Sequence, residues 1–567
     1  MDNKQIIKTL KLTMQLMELH DENPFKIRGY QSAINSIERE GKSLQGLDMI
    51  QLQELPGIGK GIAEVILEIQ EKESHAVLTQ LLEKTPQGIL EILEIKGLGP
   101  KKIKILWKEL EITSSHELME ACRSGQVAKI KGFGEKTQES IIQNLEFIAS
   151  NQGKWLYADL ENLGNQFLDE LQGVFGSDKV APVGDFGRKS EIIDQLVIII
   201  ASDQPTETMN HLVKIRGLEQ DVLDSSPYRW GGKLKDFNLR ILIHLVPTKD
   251  FIKQKLLKTS SKAHLLSQGI ESKSLAEIFY SVSYRSETEA YESAGLPFVP
   301  EDLREGNGEL EWLQSNNLTD LLTLEDLKGP LHNHSTYSDG RHGLKEMAEF
   351  CQSQGYEYLG MADHSKSAFY ANGLDEDRIR QQHDEIDQLN IKMAPFKIFK
   401  GIESDILIDG SLDYSQDVLA SFDYIVASIH SSLSMDLKKA NARLIRAIQN
   451  PFTTILGHPT GRLLLRRAGY PIDHKLIIDA CAQNNVVIEI NANPWRLDLD
   501  WRWVRYAMDQ GVKLSINPDA HEKEAFSDMK YGVLTGRKGG LTKEMTLNTL
   551  NAIDLFNFFK NRKKSIT

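Results

Sequence analysis

Over the first 150 positions apolar residues recur with helical spacing, and short Gly-x-Gly turns interrupt them repeatedly. Three of these turns resemble one another: LPGIGKGIAEVI (55–66), IKGLGPKKIKIL (95–106) and IKGFGEKTQESI (130–141). Each sets apolar-x-Gly-apolar-Gly before a new amphipathic helix. They recur at intervals of 40 and 35 residues (95 minus 55, 130 minus 95), which predicts a repeated helix–turn–helix unit. From about residue 155 to 300 the pattern changes. Helical stretches such as YADLENLGNQFLDELQ alternate with apolar runs of strand type, QLVIIIAS and FNLRILIHLV. The stretch AGLPFVPEDLREGNGELE (294–311), rich in Pro, Glu and Gly, predicts a linker. After residue 329, strand-like runs (YEYLGMADH, FDYIVASIH, FTTILGHP, NVVIEINAN, VKLSINPDAH) alternate with helical patterns such as LKEMAEFCQSQG. Regular βα alternation of this kind predicts a barrel, with chemistry at the C-terminal ends of its strands.

Length adds that 567 residues allow three or four domains at about 150 residues each. A net charge of −13 argues against a chain coated in basic surface but leaves room for local basic patches that hold phosphate. The three cysteines, Cys122, Cys351 and Cys481, are far apart and form no CxxC pair, so a disulfide framework and a cysteine-based zinc site are both excluded. The opening MDNKQIIKTLKLTMQLMELH mixes charge into its apolar positions, unlike a signal peptide or a membrane span, and the expected location is the cytoplasm.

The predicted strand ends of the C-terminal half carry an unusual residue set. LHNHSTYSDG supplies His332, His334 and Asp339; MADHS, His364; GIESDI, Glu403; SIHSS, His430; GHPTG, His458; and PDAH, Asp519 and His521. His332 and His334 are two apart on an extended segment, so their side chains point the same way and can grip one ion. Any one such histidine reads as a hydrogen-bonded core or surface residue. Nine imidazole and carboxylate groups at successive strand ends do not. Mixed N and O donors suit Zn²⁺, Mn²⁺ or Fe²⁺ rather than Mg²⁺ or Ca²⁺, and clustered ions suit hydrolysis of phosphate esters.

The series HxH, SDG, DH, GxE, a lone His, GHP and PDAH resembles the PHP (polymerase and histidinol phosphatase) superfamily, with every position of its nine-ligand pattern filled. The wider strings GHPTGRLLLRRAGY and NANPWRLDLDW narrow the resemblance to the PHP domain fused to bacterial family X DNA polymerases, over essentially the whole chain. It implies a distorted seven-stranded β/α barrel holding three divalent ions (Zn or Mn, or Fe). His332, His334, Glu403 and Asp519 would hold the first, and would be the catalytic set. Glu403, His430 and His458 would hold the second, with Glu403 bridging, and Asp339, His364 and His521 the third. The implied activity is 3′–5′ exonuclease and related DNA-end or abasic-site processing. Arg462, which with Arg466 and Arg467 follows His458, and Lys366, which follows His364, are candidate contacts to substrate phosphates.

The N-terminal turns fit the same partner, since a Gly-x-Gly hairpin at a helix N-terminus exposes backbone N–H groups to a phosphate. Three repeats with nearby Lys60, Lys101 and Lys131 resemble helix–hairpin–helix motifs, which position DNA without reading its sequence. Gly57, Gly59, Lys60, Gly97, Gly99, Lys101, Gly132 and Gly134 are the expected contacts. NPFKIRGYQSA (23–33) resembles the small DNA-end-binding domain of family X polymerases. The lysine that some relatives use to attack abasic-site sugars falls here on Val65, whose alkyl side chain cannot be that nucleophile.

Family X polymerases carry a Gly-Ser turn with an arginine, then Asp-x-Asp on a strand and a third Asp on a neighbouring strand, and these carboxylates hold two Mg²⁺ ions. Here Gly184 and Arg188 remain, but the serine position is Asp185 and the following arginine is Gly187. The Asp pair falls on Gln195 and Val197, and the third Asp on Asn238. Asp194 lies one residue early and should face the other side of the strand. The residues shaping the nucleotide pocket read Leu257, Lys258 and Ser260.

The expected architecture is therefore multidomain. A small DNA-end-binding helical domain with the first hairpin spans 1–80, and two further hairpins span 81–153. A degenerate α+β nucleotidyltransferase-like domain spans 154–300, a linker 301–328, and a distorted (β/α)7 PHP barrel 329–567. The expected function is metal-dependent hydrolysis of DNA at ends, gaps or abasic sites, away from any membrane and without polymerase activity. The competing readings are an active family X polymerase, a phosphatase of the histidinol-phosphatase type, and a non-catalytic DNA-binding scaffold.

Overall fold

The computed structural model describes residues 3–40, 44–95, 98–215, 217–235, 237 and 239–564. The predicted positions Gly97 and Asn238 lie outside them. The chain divides into two compact units, Met1–Gln152 and Gly153–Thr567.

The first unit is helical because its apolar residues share one stripe per helix. Ile6, Leu10, Leu16 and Met17 of Asn3–Leu19 are buried with Ala63, Ile66 and Ile69 of Lys60–Lys72 and Ile103 and Leu106 of Pro100–Glu109 in one core. Each fully buried aliphatic of this kind contributes about 1.5–3 kcal/mol. The three glycine turns form helix starts: Gly59 caps Lys60–Lys72, Gly99 caps Pro100–Glu109 and Gly134 caps Glu135–Asn151, none with a side-chain cap. Gly57, Gly132 and Gly134 have φ of +77°, +95° and +72°, a region where a Cβ is strained. The glycines thus set the turn and leave the first-turn N–H groups uncovered.

In the second unit, the middle region builds a five-stranded mixed sheet from β1 (Val180–Val183), β2 (Leu196–Ala201), β3 (Leu218–Gln220), β4 (Arg229–Leu234) and β5 (Leu239–Val246), in the order β1-β2-β5-β4-β3. Only the β2–β5 pair is parallel. The runs β2 and β5 are apolar almost throughout because the sheet is covered on both faces, as at Ile198 and Ile200 on one core and Val183 and Ile199 on another.

Residues 301–328, expected to be a linker, are instead a packed strap. The helix Glu309–Ser315 buries Glu309, Leu310, Trp312 and Leu313. Arg304 is fully buried and pairs with Glu287, Asp302 accepts from Arg537 Nε at 2.8 Å, and Leu322 N–H donates to Leu541 O at 2.9 Å. Composition misled here. The prolines and glycines of 294–311 mark turns, while the charges are satisfied internally by partners far away in sequence.

The barrel strands are β6 (Tyr358–Met361), β7 (Lys397–Asp405), β8 (Tyr424–Ser428), β9 (Ile455–Leu456), β10 (Val487–Asn491) and β11 (Leu514–Asn517), all parallel and paired in chain order. The segment 330–334 runs along both edges of this curled sheet: Gly360 N–H donates to Pro330 O and Ala362 N–H to Asn333 O, while His334 N–H donates to Ala520 O, each at 2.8 Å. It takes the place of a seventh strand, and it carries the HxH pair into the barrel mouth. Helices such as Leu344–Ser353 and His474–Gln483 cover the outside with Met347, Cys351, Ile477 and Ile478 buried. Among the described residues no helix is long and apolar enough to cross a membrane. The three cysteines are free and buried.

Candidate metal centre

Parallel β/α order brings residues distant in sequence to one rim. Glu403, two residues before the end of β7, lies at the middle of the cluster. Its carboxylate oxygens stand 3.2 Å from His332 Nε2, 2.9 Å from His364 Nδ1, 3.1 Å from His430 Nε2 and 3.1 Å from His458 Nε2. Asp519 Oδ1 is 3.0 Å from His334 Nε2 and 3.6 Å from His332 Nε2. Asp339 Oδ1 is 3.4 Å from His521 Nε2 and 3.6 Å from His364 Nε2. All nine sequence-predicted groups therefore meet at one site. His458 and Asp519 sit at positive φ, +21° and +53°, so local backbone strain accompanies two of them.

The arrangement fits divalent ions. Three donor groups have ligand atoms within 4.8 Å of one another: His334, Asp339, His364 and His521; His332, His334 and Asp519; His364, Glu403 and His430. The buried atoms His332 Nε2, His364 Nδ1 and Glu403 Oε2 make no hydrogen bond of good geometry although the Glu403 carboxylate stands 3.2 and 2.9 Å from the two imidazoles, a cost that a bound cation removes. The grouping is tighter than the division implied by resemblance. His334 belongs to two groups and His364 to two, because Glu403 Oε2 leans toward His364.

The charges are strongly coupled. Burial raises the Glu403 pKa, yet the His430, His332 and His364 imidazoles together hold it well below the usual carboxylate range. Burial lowers His430, but the Glu403 carboxylate and a hydrogen bond to Asp405 lift it to about 10. Burial and the neighbouring His521 and His364 push His334 down to about 3. Metal binding at such a rim requires loss of the His430 proton, so it is expected to be pH-dependent.

Several supporting residues escaped the sequence reading. Glu489 accepts from His332 Nδ1 (2.7 Å), His458 N–H (2.8 Å) and Asn517 Nδ2 (3.1 Å). Asp405 accepts from His430 Nδ1 at 2.6 Å, and Asp363 ties down the 335–338 turn through Ser335 N–H (2.8 Å) and Ser338 Oγ (2.5 Å). The available signal was a carboxylate inside an apolar strand run, as in VVIEIN, where nothing but a buried polar role accounts for it. Such partners orient the imidazoles and fix their tautomers. Glu489→Gln is expected to weaken metal affinity about 10–100-fold with the fold retained, measured by competition against a chromogenic chelator.

The predicted phosphate contacts need correction. Arg462 is committed inward: Nε donates to Arg496 O (2.8 Å), one terminal nitrogen to Asp500 (2.6 Å) and the other to Leu497 O. It staples the 496–500 loop, with each of its three nitrogens engaged there and its side chain largely buried, so the guanidinium is turned away from a substrate. Lys366 is half-exposed but pairs with Glu376 at 2.8 Å. The cation beside the cluster is Arg496, with Nε 3.5 Å from Asp519 Oδ2. In the first unit Lys60, Lys101 and Lys131 are exposed, as are Gly57, Gly59, Gly132 and Gly134.

Comparison with known proteins agrees with this organisation. Residues 1–75 match a helix-hairpin-helix domain, 89–146 a SAM-like helix-hairpin-helix tandem and 330–493 a PHP domain. The "DNA polymerase/3'-5' exonuclease PolX" of Bacillus subtilis is 36% identical over 99% of this chain and all of its own length. The chain belongs to the PolX family. A "Probable phosphatase" of Thermoanaerobacter sp. (strain X514) is 27% identical over 31% of this chain and 76% of its own, and another of Clostridium acetobutylicum is 31% identical over 23% of this chain and 57% of its own.

In this PolX-family chain the middle sheet presents an apolar wall around Val197, one of the positions expected for a polymerase carboxylate. Val197 lies in register beside Leu242 across the parallel β2–β5 pair, and β5 begins at Leu239, one residue after Asn238. Val197 packs with Ala181, Val183, Ile199 and Phe251. Gln195 is half-buried with Oε1 unpartnered, and Asp194 is exposed. Arg188 is spent on Asp185, on Glu305 (3.2 Å) and on Thr259 O (2.7 Å).

Proposed function

We propose that this chain hydrolyses phosphodiester bonds of DNA at the PHP metal centre, as a 3′–5′ exonuclease that also processes damaged 3′ ends or abasic sites, and that its middle domain does not polymerise. The observation that carries the reading is the convergence of nine imidazole and carboxylate groups around Glu403 and Asp519 at the barrel rim.

In this reading His332, His334, Glu403 and Asp519 form the centre of the ligand set, His430 and His458 complete its Glu403 side, and Asp339, His364 and His521 its outer side. Divalent ions held there would supply Lewis acidity, lowering the pKa of a water and offsetting phosphate charge. The chain's own groups do the positioning. Glu489 and Asp405 keep His332 and His430 from turning away. Asn491 Nδ2 and Arg496 hold Asp519 Oδ2, at 3.1 and 3.5 Å. The planar guanidinium of Arg496 is then available to a phosphate oxygen once that carboxylate is engaged elsewhere. The exposed hairpin turns and their lysines hold duplex backbone without reading sequence.

Loss of polymerase activity is supported by the residues at the expected carboxylate positions. An isopropyl group and two amides, Val197, Gln195 and Asn238, cannot neutralise two Mg²⁺ ions. The domain's remaining work would be packing: Glu191 accepts from Trp501 Nε1 of the barrel region at 3.2 Å, and Glu161 from Lys530 at 2.5 Å. The likeness to phosphatases favours a second reading, hydrolysis of a small phosphate monoester at the same centre; two regions matching helix-hairpin-helix families weigh against it. Purified chain with Mn²⁺ and either a labelled 3′-recessed duplex, single-stranded DNA, an abasic duplex or histidinol phosphate separates the two. Shortened DNA with intact monoester is expected; phosphate released only from the monoester overturns the proposal.

A further inference from the structure

Beside the metal centre stands a feature that ligation does not use. The loop leaving β6 at His364 closes on itself: Leu374 N–H donates to His364 O at 2.8 Å, Ser365 and Leu374 form a parallel bridge, and Gly373 N–H donates to Ala368 O at 3.1 Å. A Cβ at Gly373 would lie 1.9 Å from Ser365 O, so the stem requires glycine there. At the tip is one turn, Phe369–Ala371, ended by Asn372 at φ +54°. Ala368 and Ala371 are buried, while Phe369 and Tyr370 between them are 88% and 70% exposed. Arg378 pins the turn from below, donating to Asn372 O (2.8 Å), Gly373 O (3.2 Å) and Tyr337 O. The two rings are thus held outward on an anchored loop.

Their place gives them a use. The Tyr370 ring centre is 6.1 Å from that of His364, inclined at 59°. Two exposed aromatic side chains on adjacent residues, with Tyr370 beside the metal ligand His364, offer the kind of surface on which bases stack irrespective of sequence. We propose that Phe369 and Tyr370 form a stacking platform for the terminal nucleobases of an unpaired strand whose phosphodiester lies at the metal centre. Resting on the nuclease reading, the proposal adds which residues position the terminal nucleobases, Phe369 and Tyr370.

The test compares two single-stranded oligonucleotides, identical except that one lacks the bases of its last two 3′ nucleotides, with wild-type chain, F369A/Y370A and Y370F in Mn²⁺. For wild type the base-less end is expected to raise KM about 30-fold or more, at about 1–3 kcal/mol for each of the two missing bases. F369A/Y370A is expected to show that higher KM on both substrates, with wild-type metal content and little change in kcat, and Y370F to behave as wild type. An F369A/Y370A variant with wild-type KM on the ordinary strand overturns the platform, as does one that still distinguishes the two ends or has lost metal. A wild-type chain that cleaves neither strand overturns the nuclease reading itself, and the platform with it.

Discussion

His332→Ala is expected to reduce DNA hydrolysis by about 10³-fold or more, since losing Lewis-acid assistance forfeits several kcal/mol and each 1.36 kcal/mol is a factor of ten. His332 is fully buried between Glu403, Asp519 and Glu489, with Nε2 facing the first two and Nδ1 the third. Its removal takes an imidazole from beside Glu403 and Asp519 and the 2.7 Å partner from Glu489, so local rearrangement adds to the loss. Glu403→Gln keeps size and shape, removes the charge that four imidazoles share, and is expected to give a loss of the same order. Rates on a labelled strand, beside metal content and a thermal unfolding curve for each variant, check both. A variant that binds its metal complement and cleaves at the wild-type rate contradicts the ligand assignment.

The second large effect belongs to the hairpins. Changing Lys60, Lys101 and Lys131 together to alanine in the full chain is expected to weaken duplex binding tens-fold at moderate salt. It should also flatten the dependence of log K on log salt by about 0.9 for each phosphate that is no longer neutralised. The three lysines are exposed and stand near glycine turns that leave helix N–H groups uncovered, so their removal leaves the buried core of the unit untouched. Anisotropy of a labelled duplex from about 50 to 200 mM salt measures the slope. An unchanged slope places DNA binding elsewhere on the chain.

What could be read in the sequence was whatever depends on spacing along one segment or on residue chemistry. The glycine turns announced their helix starts because their backbone angles disfavour every residue with a Cβ, as at Gly57 and Gly132. The nine-group cluster was legible because successive strand ends of a parallel barrel converge on one rim, which gathers their imidazoles and carboxylates. What depends on partners across the fold was not legible. Arg462 looked like a phosphate contact from its neighbours in sequence, and only the 496–500 loop shows that each of its three nitrogens is engaged within the fold. The 301–328 strap looked like a linker because its composition is polar, while its charges meet Arg537, Lys538 and Glu287. Strand register has the same character: the neighbour of Val197 is fixed by β5 pairing, which the local string FNLR does not encode.

Hydrolysis around Glu403 without synthesis at Val197 is the central claim. Its direct test is a 5′-labelled, 3′-recessed duplex incubated with the full chain, Mn²⁺ or Mg²⁺, and all four dNTPs. The labelled strand is predicted to shorten from its 3′ end and never to grow, with His332→Ala leaving it at its starting length. Extension of the primer, abolished by Asp194→Ala and indifferent to His332→Ala, would contradict the claim.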